Sequence, residues 1–478
     1  GQLLAKGSPG YEEARCRNFA VNAHGKRTTT KNENTAPSYI ALCQSVGDVQ
    51  ACIQFAMAQG LTVTVRTGGH NWFGCYLREN AFLIDMSHFN ALEIDAEAGT
   101  ATVGPAVVGN DLNEAAAKSG LCFSSGHCVG VPLGGFLLGG GVGWFQPYFG
   151  YAAEHIEQVT LVDPQGNLRV VSDNDKDDDD WMWMVRGSAS AFPGVVVEFK
   201  IRLAKVPAII RLKMDFFPVE SYSKIIHFLN DYYRNEEKEG SDTKNLELTI
   251  NLASTPPPLA DVLKVPKVAM VIQTWRADSE EQFQEQVAPL ALDKFPVKPL
   301  LPESSSSFQD MTFAGLSQML SGAYPPGQTY IARVLFHESQ SFDNVNWENV
   351  QDSFMQKAPM GLSHCMVVWS PKRLASKPGC YGKYSATGFT SLTLGIYDGQ
   401  GGEEVEAAAS CSALEYVEVM MGHLEKYTCK YDPLEYPLNK DTFEGTFPDG
   451  VAEKLKSLRA KVDPQHLFFD PSIAEPSH

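Results

Sequence analysis

Residues 36–60 begin with a short apolar stretch and pass into SVGDVQACIQFAMAQG, whose apolar positions recur at helical spacing. Ser45 stands where an N-cap belongs and Gly60 where a helix closes, so the spacing predicts a strand and then an amphipathic helix. Short strands follow at LTVTVRT, AFLIDM and ALEIDAEAGTATVGP, and a helix at NDLNEAAAKSG. Strands resume at HIEQVTLVDPQGNLRVVS and GVVVEFKIRLAKV. This mixture of short strands and helices up to about residue 207 reads as one α+β unit.

From Pro207 the period lengthens. Long alternating strands are predicted at IIRLKMDFF, NLELTINLA, KVAMVIQTW, TYIARVLFHE, HCMVVWS and SLTLGIYDG. Helical stretches lie between them: SYSKIIHFLNDYYRNEE, EEQFQEQVAPLAL and EVEAAASCSALEYVEVMMGHLEKY. The pattern predicts a large antiparallel sheet backed by helices. The tail, DGVAEKLKSLRAKVDPQHLFF, reads as a helix ended by Asp-Pro. The acidic run SDNDKDDDDW at 172–181 lacks the Gly and distal Glu of an EF-hand loop and reads as a solvated turn.

At 478 residues the chain is too long for one ordinary core, and two or three domains are expected. Hydrophobic content of 44% and charged content of 20% describe a globular protein. The net charge of −18 argues against a nucleic-acid partner, which would demand a basic surface. No run of eighteen apolar residues is present, so no membrane-spanning helix is expected. The ten cysteines are scattered without a CxxC pair, so no structural zinc or other metal is expected. The opening GQLLAKGSPG is not a signal peptide, and there is no Asn-x-Ser/Thr sequon. The missing sequon tilts the expectation toward an intracellular protein, with a secreted one whose signal peptide has been removed as the alternative.

Two segments are rich in glycine: RTGGHNWFGC at 66–75, directly after an apolar strand, and GHCVGVPLGGFLLGGGVGW at 126–144. Glycines after a buried strand let the backbone turn tightly and approach a ligand closely. A P-loop needs a Lys that the second segment lacks, and GxGxxG fails where Trp144 stands. The backbone N–H groups freed by two such turns form anion-binding nests, and two loops together would cradle a pyrophosphate.

RTGGH, GHC, GGFLLGGGVGW and MVRGSASAFPGVVVEF, in that order, resemble the FAD-binding domain of the vanillyl-alcohol-oxidase flavoprotein family. The more specific resemblance is to its berberine-bridge-enzyme-like branch, strong over about 36–205 and weaker beyond. It implies a two-lobed α+β protein with an FAD-binding domain at 1–207 and a substrate domain at 208–429. A segment at 430–478 would return to the FAD-binding domain. In such relatives the His of the first loop is bonded to the flavin 8α methyl, which implies His70. A Cys eleven residues before the GGG run is bonded to flavin carbon 6, and counting back from Gly139 gives Cys128. Cys75 is an alternative attachment residue. Both links need a nucleophile, a neutral imidazole and a thiolate, and His127 stands beside Cys128 to favour the latter.

The resemblance places further flavin contacts at Arg66, Thr67, Gly68, Gly69, Asn71 and Gly74 in the first loop. In the second it places them at Gly126, His127, Gly130, Val131, Gly134, Gly135, Gly139, Gly140 and Gly143. Where relatives read GGGGGNFGVV this chain has GSASAFPGVV, with Phe192 and Pro193 as departures; Gly194, Val195 and Val197 remain to line the adenine side. YPLN, with Tyr436 and Asn439, resembles a flavin-contacting Tyr-x-Asn segment. The implied reaction takes hydride from a C–H beside a hydroxyl or amine of a small molecule while a base takes the O–H or N–H proton. Candidate bases are Tyr436, Tyr384 and His364; His364 shares a strand face with Met366 and Val368. Valine at 131, three residues after the attaching Cys, resembles relatives reoxidised by oxygen to hydrogen peroxide. A dehydrogenase using another acceptor and a flavin-binding protein without catalysis remain as alternatives.

Overall fold

The computed structural model describes residues 1–17, 36–71, 74–174, 179–239, 243–321, 328–359, 361–369, 375–381, 389–398, 403–424, 440–447 and 449–474. Helix Val46–Gln59 forms where the spacing predicted it. The Ser45 hydroxyl accepts the Asp48 N–H, the Asp48 carboxylate accepts the Ser45 N–H, and Gly60 closes the helix in the left-handed region at φ 64°. A cap of this kind contributes about 1 kcal/mol. The helix buries Val49, Ile53 and Ala56 against Val63, Phe82 and Ile84 of a four-stranded sheet. That sheet runs in the order Gln2–Ala5, Tyr39–Leu42, Phe82–Asp85, Val63–Arg66, and its last three strands are parallel.

A second sheet of five antiparallel strands follows, ordered Leu92–Asp95, Thr100–Val103, Val195–Arg202, Ile156–Val162, Leu168–Ser172. Beyond it lies the large sheet. Seven strands run antiparallel in the order Gln309–Asp310, Ile209–Pro218, Lys267–Ala277, Leu246–Ser254, His364–Trp369, Phe389–Asp398, Gln328–His337.

The alternation of LELTINL explains how this sheet serves two environments. Leu246, Leu248, Ile250 and Leu252 bury into a core with Tyr222, Ile225, Ile226 and Leu229 of helix Tyr222–Glu239. Burying a side chain of this size contributes roughly 1.5–3 kcal/mol. Glu247 and Thr249 therefore point the other way, toward the two glycine loops.

The C-terminal chain packs beneath the strand that feeds the first glycine loop. Val63 N–H donates to Leu467 O at 2.7 Å, and Val63 and Phe468 form a parallel bridge. Buried Arg459, on helix Asp449–Val462, donates to Ala191 O and Phe468 O and pairs with Asp470 at 3.2 Å. The acidic run departs from its predicted turn at its far end. Helix Asp179–Val185 begins within it.

Candidate active site

A cavity of about 500 Å³ lies between the two glycine loops and the inner face of the large sheet. The first loop leaves strand Val63–Arg66 and turns at Gly69, φ 71°. Thr67, Gly69, His70 and Asn71 line the cavity. The second loop contributes Gly126, His127, Cys128, Val131, Gly134, Gly135 and Gly139. The loops meet, since a Cβ built on Gly130 would stand 3.6 Å from His70 Cδ2. The sequence thus brings His70 and Cys128, 58 positions apart, to one cavity wall. Cys75 lines it as well; its N–H donates to Asn71 Oδ1 at 3.2 Å.

Burial sets the ionisation of the two nucleophiles. It pushes the His70 imidazole down to about 4, so the ring is neutral across the physiological range. It pushes the Cys128 thiol up to about 11. His127 does not relieve that burial as the sequence led us to expect, because its Nε2 lies 3.0 Å from Glu247 Oε2, across the cavity roof. Its ring packs on Trp144 with centroids 4.4 Å apart.

Other expected contacts serve the scaffold. Arg66 lines the cavity, but its guanidinium is held by Asp85 at 2.7 Å and by the Ala14 and Arg15 carbonyls. Gly68, Gly74, Gly130, Gly140 and Gly143 are not among the lining residues. Two of them permit close packing instead: a Cβ on Gly68 would meet Pro132 at 2.3 Å, and one on Gly143 the Ser124 carbonyl oxygen at 2.3 Å. On strand Val195–Arg202 the phase is opposite to expectation. Gly194 and Val196 line the cavity, whereas Val195 and Val197 point into the core with Val63 and Phe82, because neighbouring strand residues face opposite ways.

Among the candidate bases, Tyr384 and Tyr436 lie outside the described residues, as does Asn439. His364 is on the same strand face as Met366 and Val368, and that face is the inner one. The ring nevertheless falls outside the cavity lining: it sits at the strand's first residue, and its Nδ1 lies 2.8 Å from Leu362 O.

Glu247 was not anticipated. One carboxylate oxygen accepts from Phe145 N–H and the other meets His127. Phe145 holds a left-handed conformation, φ 53°, that a bulky residue adopts only when its surroundings impose it. The roof around Glu247 is otherwise apolar or neutral, with Ile272, Thr274, Met366, Val368 and Leu392. Gln146 also lines the cavity, and its buried Nε2 has no hydrogen-bond partner.

The geometry suits a flat, anionic cofactor of dinucleotide size: two glycine turns and two nucleophiles line one cavity. Residues 37–172 match the family of FAD binding domains. The (R)-6-hydroxynicotine oxidase of Paenarthrobacter nicotinovorans is 36% identical over 171 residues, 36% of this chain and 37% of that protein. An FAD-linked oxidoreductase of Penicillium crustosum is 30% identical over 229 residues, 47% of this chain and 48% of its own. The chain thus spans less than half the length of these curated relatives. The solved berberine bridge enzyme of Eschscholzia californica superposes with a TM-score of 0.76 at 16% identity, covering 100% of this chain and 97% of that one. Phl p 4, a glucose dehydrogenase, gives 0.74 at 20%, again covering 100% and 97%. Its isoleucine-to-valine variant, a glucose oxidase, gives 0.73 at 19% with the same coverage.

Proposed function

From an FAD-binding domain set in the fold of berberine bridge enzyme, we propose that this chain is an FAD-linked oxidase of a small molecule. The flavin is attached through His70 and Cys128, and oxygen is the final acceptor. The observation that carries the reading is that His70 and Cys128 line one cavity, on loops that touch at Gly130 and His70, beneath a roof that holds a carboxylate. Bound FAD supplies the acceptor for a hydride from a C–H bearing a hydroxyl or amine. The chain is read as three parts: 1–207 for the cofactor, 208–429 for the substrate and 430–478 returning to the cofactor lobe.

The protein's own task is to seat the substrate against the inner sheet face and to take its O–H or N–H proton. Glu247 and His127 are the pair placed for that, one hydrogen bond apart at the cavity. Tyr384 and Tyr436 are the further candidates. Met366, Val368 and Leu392 exclude water from the same space. Val131 lines the cavity three residues beyond Cys128. Phl p 4 is a dehydrogenase and an isoleucine-to-valine variant of it an oxidase; we read Val131 as standing at the corresponding place.

Anaerobic mixing of the purified yellow protein with a panel of sugars, aryl alcohols and secondary amines tests the proposal. At least one class bleaches the flavin band, and admitting air restores it with one hydrogen peroxide formed per flavin. Protein without a flavin band, or a band that no panel member bleaches, overturns it. With any substrate so found, Glu247→Gln lowers the rate of flavin reduction by about 10²–10⁴-fold while flavin content stays full. A rate within a few-fold of the parent removes Glu247 from the proton-accepting role.

A further inference from the structure

Away from the cavity, the Sγ atoms of Cys43 and Cys52 lie 3.7 Å apart. Cys43 follows strand Tyr39–Leu42 and is buried; Cys52 sits on helix Val46–Gln59 and is half-buried. We propose that these two cysteines are a site of oxidation by hydrogen peroxide, closing reversibly to a disulfide. Cys52 is the residue attacked first and Cys43 the one that resolves.

The chemistry balances with peroxide as the only oxidant. The Cys52 sulfur attacks one peroxide oxygen; an S–O bond forms, the O–O bond breaks, and the departing oxygen leaves as water after taking a proton. The Cys43 sulfur then attacks Cys52; the S–S bond forms and the S–O bond breaks. The thiol proton of Cys43 goes with the departing hydroxide to make the second water. Two thiols have lost two hydrogens, and one peroxide has become two waters. The sulfurs have only to close from 3.7 Å to a bond length of about 2.05 Å, within reach of side-chain rotation.

The order of attack follows from the surroundings. Cys52 is the more exposed of the two, and the hydrogen bond between the sulfurs lowers its thiol below the ordinary range. The same bond, together with burial, holds the Cys43 thiol protonated. The more exposed sulfur therefore carries the more thiolate character, which is what peroxide selects. The bond would pin the helix to the strand beside it. Val49, Ile53 and Ala56 of that helix pack in one core with Val63, at the head of the strand that delivers His70. An oxidase that releases peroxide would thus brace the scaffold behind its own cofactor loop. The oxidation itself needs no catalysis by the chain.

The test uses reduced, flavin-loaded protein and added hydrogen peroxide, so it stands or falls apart from the proposed activity. Thiols are alkylated after a timed exposure and located by peptide mass spectrometry. Cys43 and Cys52 lose alkylation together, the mass falls by two hydrogens, dithiothreitol reverses both changes, and the oxidised form melts a few degrees higher. Cys43→Ser leaves Cys52 as a sulfenic acid that dimedone captures, and Cys52→Ser leaves Cys43 alkylatable once the chain is unfolded. Recovery of both thiols at a peroxide dose that oxidises exposed Cys411 overturns the proposal. So does a disulfide from either residue to any other cysteine.

Discussion

Acid precipitation of the purified protein leaves its flavin in the pellet, and the flavin is released only when His70 and Cys128 are both replaced. His70→Ala and Cys128→Ala each keep one link, and the intact mass of each still includes the cofactor. The expectation rests on two loops that arrive from separate parts of the chain and touch at Gly130 and His70. The two links differ in pH dependence. His70 is pushed down to about 4 by burial, so its ring is neutral throughout pH 6–9 and its attachment rate is flat there. Cys128 is pushed up to about 11, so its thiolate fraction grows about tenfold per pH unit over that range. Apoprotein incubated with FAD should gain the histidine link first, and the cysteine link faster as pH rises. Flavin retained in the pellet by the double variant His70→Ala Cys128→Ala would remove Cys128 from the assignment, with Cys75, which also lines the cavity, the residue to test next.

The parts of this site that were legible in the sequence are those encoded locally. A capping serine, a closing glycine and helical spacing specify Val46–Gln59 without reference to any other segment. Two glycine turns flanking apolar runs mark the cofactor loops for the same reason. What lay beyond reading was set by contacts between distant segments. LELTINL shows that Glu247 faces away from Leu246 and Leu248, but alternation does not say which face meets a solvent and which a cavity. That choice is made by helix Tyr222–Glu239, which covers the leucine face, and by the glycine loops, which meet the other. Arg66 reads as a cofactor contact until Asp85, nineteen positions on, is seen holding its guanidinium in a buried pair. Removing one partner of such a pair costs about 3–5 kcal/mol, so Arg66 is required by the fold.

Val131→Ile slows reoxidation of the reduced flavin by oxygen at least tenfold and leaves reduction by substrate within a few-fold. Val131 is the cavity-lining residue at the end of the turn that begins at Cys128, whose carbonyl accepts the Val131 N–H at 3.4 Å. Its neighbours leave little slack. The Val131 carbonyl is tied to Gly109 N–H at 3.2 Å, and a Cβ on Gly126 would already stand 3.4 Å from Val131 Cγ1. An added methylene cannot move back into the loop and must project into the cavity. There it competes with a diatomic gas for a small space, whereas the proposed substrate position lies against the sheet face carrying Met366 and Val368. One methylene in a tight apolar pocket alters discrimination by roughly 10–200-fold, which sets the expected size. Stopped-flow mixing of the photoreduced protein with aerated buffer measures the step without any substrate. Slow reoxidation of the parent chain would make it a dehydrogenase, and equal rates for parent and Val131→Ile would take oxygen access away from this residue.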